Sequence, residues 1–334
     1  MISEHQRKYY VLPQGFSDLP QEFSDLPQGC SDLPQGCSDL PQGFSDLPQE
    51  SIEKDEKDYH YIKVFSPQVK AEIVINYQIT QIPKFELYFD PVQYYKTLKK
   101  NDKEYAVLYK IPQTFFPFKE YFKSLSSREL SVSIFESYKY LLKTASLLQT
   151  YEICYGNFSP DTICFNEKKN PILFDFESSS NYQDQIINVS LSQFKPLEIY
   201  MIHYLQTHSG RLSYSNIETI CEDFSKNSVL FLSSQEKEEG VKKAILLLKP
   251  FVNVPSDVIM NYLQKYINTW DIYELNMMFL ELSYELGSDV LPKHKKYMDV
   301  FINHLKNCLV LDPSKRENVQ QMMGKFEGLF DSAC

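Results

Sequence analysis

Tyr155-Gly-Asn-Phe-Ser-Pro-Asp-Thr162, continued by Ile163-Cys-Phe165, Asn166-Glu-Lys-Lys-Asn170 and Ile172-Leu-Phe-Asp-Phe-Glu177, decides how this chain is read. Two short apolar runs around a polar turn predict a hairpin. The stretch before them carries Gly, Ser, Pro and Asp without apolar periodicity and reads as a loop. Upstream, Leu130, Ile134, Tyr138, Leu141, Ala145 and Leu148 recur at three and four residues, and Ser126 with Glu129 has capping-box spacing. A helix of roughly 25 residues ending near Tyr151 follows from that pattern. The loop and hairpin therefore sit directly behind a long amphipathic helix.

Working outward, helices are expected at about 235–249, 256–267, 270–284, 296–309 and 315–328, the last opened by Asp312-Pro-Ser-Lys-Arg-Glu317 as a second capping box. Ile217–Phe224 and Val241–Leu248 also read as helical. Toward the N-terminus, Tyr61-Ile-Lys-Val-Phe65, Ala71-Glu-Ile-Val-Ile75 and Tyr105-Ala-Val-Leu-Tyr109 read as strands, with a short helix over Pro91-Val-Gln-Tyr-Tyr-Lys-Thr-Leu-Lys-Lys100. The expected fold class is α+β, with a reduced β-rich lobe at 56–112 and a helical lobe at 113–330.

Before these lobes, residues 12–51 repeat Leu-Pro-Gln-(Gly/Glu)-(Phe/Cys)-Ser-Asp five times and close on a partial sixth unit. The seven-residue period is not a coiled coil, because Pro13, Pro20, Pro27, Pro34, Pro41 and Pro48 each break a helix at about 3 kcal/mol. One Leu and one Phe or Cys per unit do not offset the entropy of ordering, so residues 1–55 are expected to be a disordered tail. Two uses fit it. It is a multivalent peptide array presenting Phe16, Phe23 and Phe44 to one partner, or it is a tolerated spacer expanded by duplication.

Composition removes several classes of function. With 34 Lys and Arg against 44 Asp and Glu, a net charge of -10 disfavours tracking a phosphate backbone, so no nucleic-acid partner is expected. Apolar stretches such as Ala244-Ile-Leu-Leu-Leu-Lys249 are broken well short of the roughly 20 residues of a membrane span. The start of the chain lacks the apolar centre of a secretory signal, which predicts a cytoplasmic protein. The seven Cys, at 30, 37, 154, 164, 221, 308 and 334, form no Cys-x-x-Cys pair and read as free thiols.

The loop, the hairpin and Asp175-Phe-Glu177 together resemble the catalytic loop and metal-binding motif of the protein-kinase-like superfamily. Lys195-Pro-Leu-Glu198 resembles the Ala-Pro-Glu close of the activation segment, Thr269-Trp-Asp-Ile-Tyr-Glu-Leu275 the start of the central helix, and Leu309-Val-Leu-Asp-Pro-Ser-Lys-Arg316 the turn before the last helix. The landmarks stand in the order the superfamily uses, across about residues 104–328. The resemblance implies a buried ion pair between Glu198 and Arg316, a helix-start carboxylate at Asp271 that accepts loop N–H groups, and an aromatic stack of Tyr155 on Phe176. The 70 or so residues between Glu198 and Asp271 imply an insertion at about 199–268. That layout is similar to kinase-like proteins of large nucleocytoplasmic DNA viruses, which would place the protein in host cytoplasm or virion.

The same alignment of motifs implies impaired chemistry. The position of the catalytic Asp is Asn157, an amide that takes no proton at neutral pH; Ser159 replaces the phosphate-contacting Lys, and Thr162 the second metal ligand. Asp175 is left as the one clear Mg²⁺ carboxylate, with Glu177 replacing Gly. No glycine occurs between Gly43 and Gly156, so the usual phosphate cover is not encoded. Lys63, Lys70 and Lys84 compete as the strand lysine, and no Glu lies in the helix read over 91–100 to pair with it. The expected function is therefore a catalytically impaired, pseudokinase-like protein that binds a protein partner. The alternative is an active divergent protein kinase or small-molecule phosphotransferase using ATP and Mg²⁺, assisted by Asp161.

Overall fold

The computed structural model describes residues 59–100, 103–110, 115–184, 191–208, 210–228 and 233–329. The repeat at 12–51 lies outside the described residues, as do Cys30, Cys37 and Cys334. The chain is mixed α+β and divides into two compact units, one from Met1–Ser66 and Val92–Pro112, the other from Pro67–Pro91 and Gln113–Cys334.

In the first unit β1 (Tyr59–Val64), β2 (Tyr94–Lys100) and β3 (Lys103–Lys110) form an antiparallel sheet in the order β1-β3-β2, with Tyr61 opposite Leu108 and Lys96 opposite Val107. β2 corrects the helix expected over 91–100. Tyr94, Tyr95 and Thr97 favour a pleated surface over a helix. Lys100 pairs with Lys103 at the end of this register.

The second unit opens with α1 (Pro67–Thr80), where a strand was expected at 71–75. Val69, Glu72, Ile73, Ile75, Asn76 and Ile79 are its buried positions, a helical spacing, and Pro67 occupies the first helical position, where its missing N–H costs nothing. The local run Ile-Val-Ile imitates a strand, but the surrounding ten residues carry the helical period. After a 3₁₀ turn at Phe85–Leu87 the chain runs beside the hairpin: Asp90 N donates to Leu173 O at 2.8 Å and Leu173 N to Tyr88 O at 3.0 Å.

β4 (Phe116–Pro117) leads into α2 (Phe118–Ser124) and α3 (Ser127–Thr150). Ser126 donates its N–H and hydroxyl to Glu129 Oε2 at 3.2 and 2.6 Å, the capping box read from the sequence. β5 (Ile153–Cys154), β6 (Ile163–Phe165), β7 (Pro171–Leu173) and β8 (Ser180–Asn181) follow; β4-β6-β7 pair antiparallel, and β5 pairs with β8.

The stretch from 197 to 264 holds α4 (Leu197–Thr207), α5 (Tyr214–Asn227), α6 (Ser234–Leu248) and α7 (Ser256–Gln264), packed through Ile202, Ile220, Phe224, Leu248 and Leu263. α8 (Trp270–Leu286) is the axis of the unit, with every residue from Trp270 to Leu280 buried. A helix buried all round must satisfy its polar side chains internally. Asn276 does so by accepting from Tyr138 Oη at 2.7 Å; Asp271 and Glu274 do so at the loop described below.

α9 (Lys295–Cys308) and α10 (Val319–Glu327) complete the unit. α10 starts later than the helix expected at 315–328. Asp312 accepts from Ser314 N at 3.1 Å and caps only a 3₁₀ turn, Pro313–Lys315, whereas Asn318 and Gln321 form the helix's own capping box. Between them Arg316 is extended, with φ −72° and ψ 143°, and its side chain turns to carbonyls and to Glu198. No helix among the described residues is long and apolar enough to cross a membrane.

Candidate functional site

The loop between β5 and β6 has few backbone partners of its own, and side chains from α8 supply the rest. Asp271 accepts from Tyr155 N and Gly156 N, both at 2.8 Å, and its Oδ1 lies 3.6 Å from Cys154 Sγ. One helical turn later, Glu274 Oε2 accepts from Phe158 N at 2.9 Å. Gly156 is required by geometry: its φ is +65°, and a Cβ there would stand 2.8 Å from Ser178 O.

Aromatic rings stack above this anchor. Tyr155 meets Phe176 edge-on at 5.5 Å and Phe158 at 5.1 Å, and Phe89 continues the column to Phe176 at 6.2 Å. Tyr155 Oη donates to Thr162 O at 3.0 Å, so the ring spans the loop from its first to its last residue. Glu198 and Arg316 meet in a bidentate pair at 2.6 and 2.8 Å, both side chains 3% exposed. The guanidinium also donates to Val310 O, Leu311 O and Thr269 Oγ1 and lies 4.6 Å over the Tyr273 ring. Five hydrogen bonds thus meet its five N–H donors.

The residues expected to carry chemistry are held differently. Thr162 is buried and its hydroxyl donates to Asn157 O at 2.5 Å and approaches Ser159 O at 3.2 Å. That turns it inward, into the loop. Ser159 Oγ lies 3.3 Å from the same hydroxyl, so the two side chains close the loop on itself. Asn157 is half-buried and contributes its carbonyl to this closure. Asp175 is half-buried and its Oδ1 accepts from Glu177 N at 3.1 Å, while Glu177 and Asp161 are exposed. Among the described residues no three His, Cys, Asp or Glu side chains gather as a metal-binding group.

Lys195 was missed as a site residue in its own right. Its side chain is 3% exposed, and its Nζ donates to Gly156 O and to Glu274 Oε1 at 3.0 Å. Both lie inside motifs quoted above, Lys195 at the head of Lys195–Glu198 and Glu274 within Thr269–Leu275, but no local spacing signals their pairing, which joins residues 79 apart. Glu72 was missed for a different reason. It lies buried on α1, inside the stretch read as a strand, and the Pro67 start with helical spacing was the available signal. Of the three lysines weighed, Lys63 lies on β1, Lys70 on α1 and Lys84 before the 3₁₀ turn with φ +60°.

Electrostatics separates the anchor from reactive chemistry. Burial, then the neighbouring Glu274 carboxylate, pushes Asp271 up to about 7, against the pull of its two N–H donors. Burial beside Asp271 pushes the Cys154 thiol well up, and burial near Asp175 does the same to the Tyr155 phenol. Neither Cys154 nor Tyr155 is an ionised nucleophile at neutral pH. Cys154, Cys164, Cys221 and Cys308 are all free thiols. Comparison of the chain with protein families and with curated proteins finds no match in either.

Proposed function

We propose that this is a catalytically impaired protein of the protein-kinase-like fold that acts by binding a protein partner. The observation that carries the proposal is the loop at 155–162. Its backbone is held by α8 in a fixed shape, while the side chains that would perform phosphoryl transfer are an amide at Asn157 and a Thr162 hydroxyl bonded inside the loop. A proton-accepting side chain contributes about 10² to 10⁴ in rate, and an amide contributes none of it. The donors present suit Mg²⁺ poorly, since Asp175 is the one carboxylate in a half-buried position beside the loop. Steady phosphorylation of a protein substrate at about 1 to 100 s⁻¹, the ordinary range for kinases, would overturn this reading.

One observation favours a second reading in which nucleotide still binds. Lys63 lies on a strand and the buried Glu72 on the helix that follows it, the chain order in which protein kinases carry their phosphate-binding Lys and its Glu partner. In that reading Asp175 and Glu177 hold Mg²⁺ and the protein is a divergent phosphotransferase or a nucleotide-binding scaffold. Thermal-shift titration with ATP and Mg²⁺ separates the two, because a ligand bound only to the folded state raises its apparent stability by about 2.7 kcal/mol at 100-fold excess over Kd. A rise abolished by Asp175→Asn supports nucleotide binding; a flat response at millimolar nucleotide leaves the binding reading alone.

A further inference from the structure

We infer that Lys195 is a latch that makes the shape of the 155–158 loop conditional on the seating of the segment 191–195, so that a partner lifting this segment releases the loop. The inference does not depend on the proposed function, since its readout needs neither ligand nor activity.

The geometry is specific. Lys195 ends the segment that enters α4, and its ammonium reaches under the loop to Gly156 O and Glu274 Oε1. Glu274 passes the contact on to Phe158 N through its other oxygen. The rest of the segment is held by Phe194, 5% exposed in the core, by Gln193 Nε2 donating to Glu281 Oε1 at 2.6 Å and by Tyr200 Oη donating to Ser192 O at 3.1 Å, while Leu191 is 40% exposed. An exposed apolar handle therefore leads directly to a buried charge.

That charge is what makes the arrangement bistable. Asp271 and Glu274 are two buried carboxylates one turn apart on α8, and Lys195 is the cation paired with Glu274. With Lys195 seated, both carboxylates remain acceptors for loop N–H groups. With Lys195 withdrawn, Glu274 is left as a buried carboxylate beside Asp271 without its countercharge, so one of the two must take up a proton or leave its N–H donor. Either outcome frees part of the loop. A methionine of similar length would fill the same space without the desolvation cost of an ammonium, so the charge contributes a dependence that packing alone does not.

Hydrogen exchange followed by mass spectrometry tests this on the full chain. In Lys195→Met, peptides spanning 155–158 should exchange at least tenfold faster than in the parent protein, while peptides from the middle of α3 keep their relative protection. Glu198→Gln breaks the other buried pair and should not open the loop selectively. In Lys195→Met/Glu274→Gln, where both charges are gone, loop protection should return toward that of the parent. If Lys195→Met does not fold, the parent protein decides the matter: amides at 155–158 and 194–196 should share one opening constant as denaturant is raised. Loop exchange that tracks only global unfolding, or separate opening constants for the two segments, would overturn the latch.

Discussion

Replacing Glu198 by Gln tests whether the second unit depends on its buried ion pair. The carboxylate is 3% exposed and takes two guanidinium N–H groups at 2.6 and 2.8 Å. In the variant the amide oxygen accepts one of them, and the amide NH₂ turns a donor toward the other. Val310 O, Leu311 O and Thr269 Oγ1 remain, but none carries the charge that balances Arg316. An uncompensated buried charge of this kind costs about 3 to 5 kcal/mol. For a unit of this size that corresponds to a fall in Tm of about 10 °C. Urea unfolding should show the midpoint lowered with an unchanged slope. Glu198→Leu/Arg316→Met should recover most of the loss, because it removes both charges instead of orphaning one. If the single variant lost under about 1 kcal/mol, as an exposed pair would, the pair would not be an anchor and the reasoning would fail.

Other outcomes follow from the same geometry. Gly156→Ala combines a left-handed φ with a Cβ 2.8 Å from Ser178 O and should cost at least about 1 to 3 kcal/mol by thermal or urea unfolding; a neutral result would mean that the loop relaxes freely. Phe89→Ala removes a fully buried ring from the column on Phe176 and should cost about 3 to 5 kcal/mol. Asp271 is raised in the folded state to about 7 from 3.8, so the folded protein holds the extra proton between those values. The contribution is full below the lower value and lost as pH rises through the upper one. Parent stability measured against Asp271→Asn should therefore grow as pH falls from 8 to 5, by up to about 1.4 kcal/mol per unit; the opposite slope would refute the sign. Deleting residues 1–52 should leave the Tm of the remainder within a degree or two, since six Pro-bearing units carry too little apolar surface to form a core, and a loss above about 1 kcal/mol would show that they pack on it.

The elements legible from sequence are those whose signals are local. Ser126 and Glu129 lie within one turn and mark a helix whose apolar stripe runs on for 24 residues. The stretch at 71–75 misleads because three β-branched residues within a five-residue window outweigh the longer period, and only Pro67 and the spacing out to Ile79 restore it. The stretch at 91–100 misleads because no cap marks its start and its strand character depends on pairing with β3. At the candidate site, Asp271, Glu198 and Arg316 were reachable through ordered motifs. The pairing of Lys195 with Glu274 was not, because neither residue is a defining position of the motif that contains it and their separation leaves no spacing to read. The α10 start was displaced for a related reason: Arg316 leaves the helix in order to serve a partner 118 residues away.

The loop at 155–158 is gripped by its main chain. Asp271 and Glu274 hold N–H groups, Lys195 holds a carbonyl, and Thr162 holds the carbonyl of Asn157. Every residue except proline offers the same two groups, so the grip does not register which side chain projects from position 157. Chemistry at that position is thereby free to drift while the shape persists. A loop built this way would accept Asn157→Asp with little change in stability.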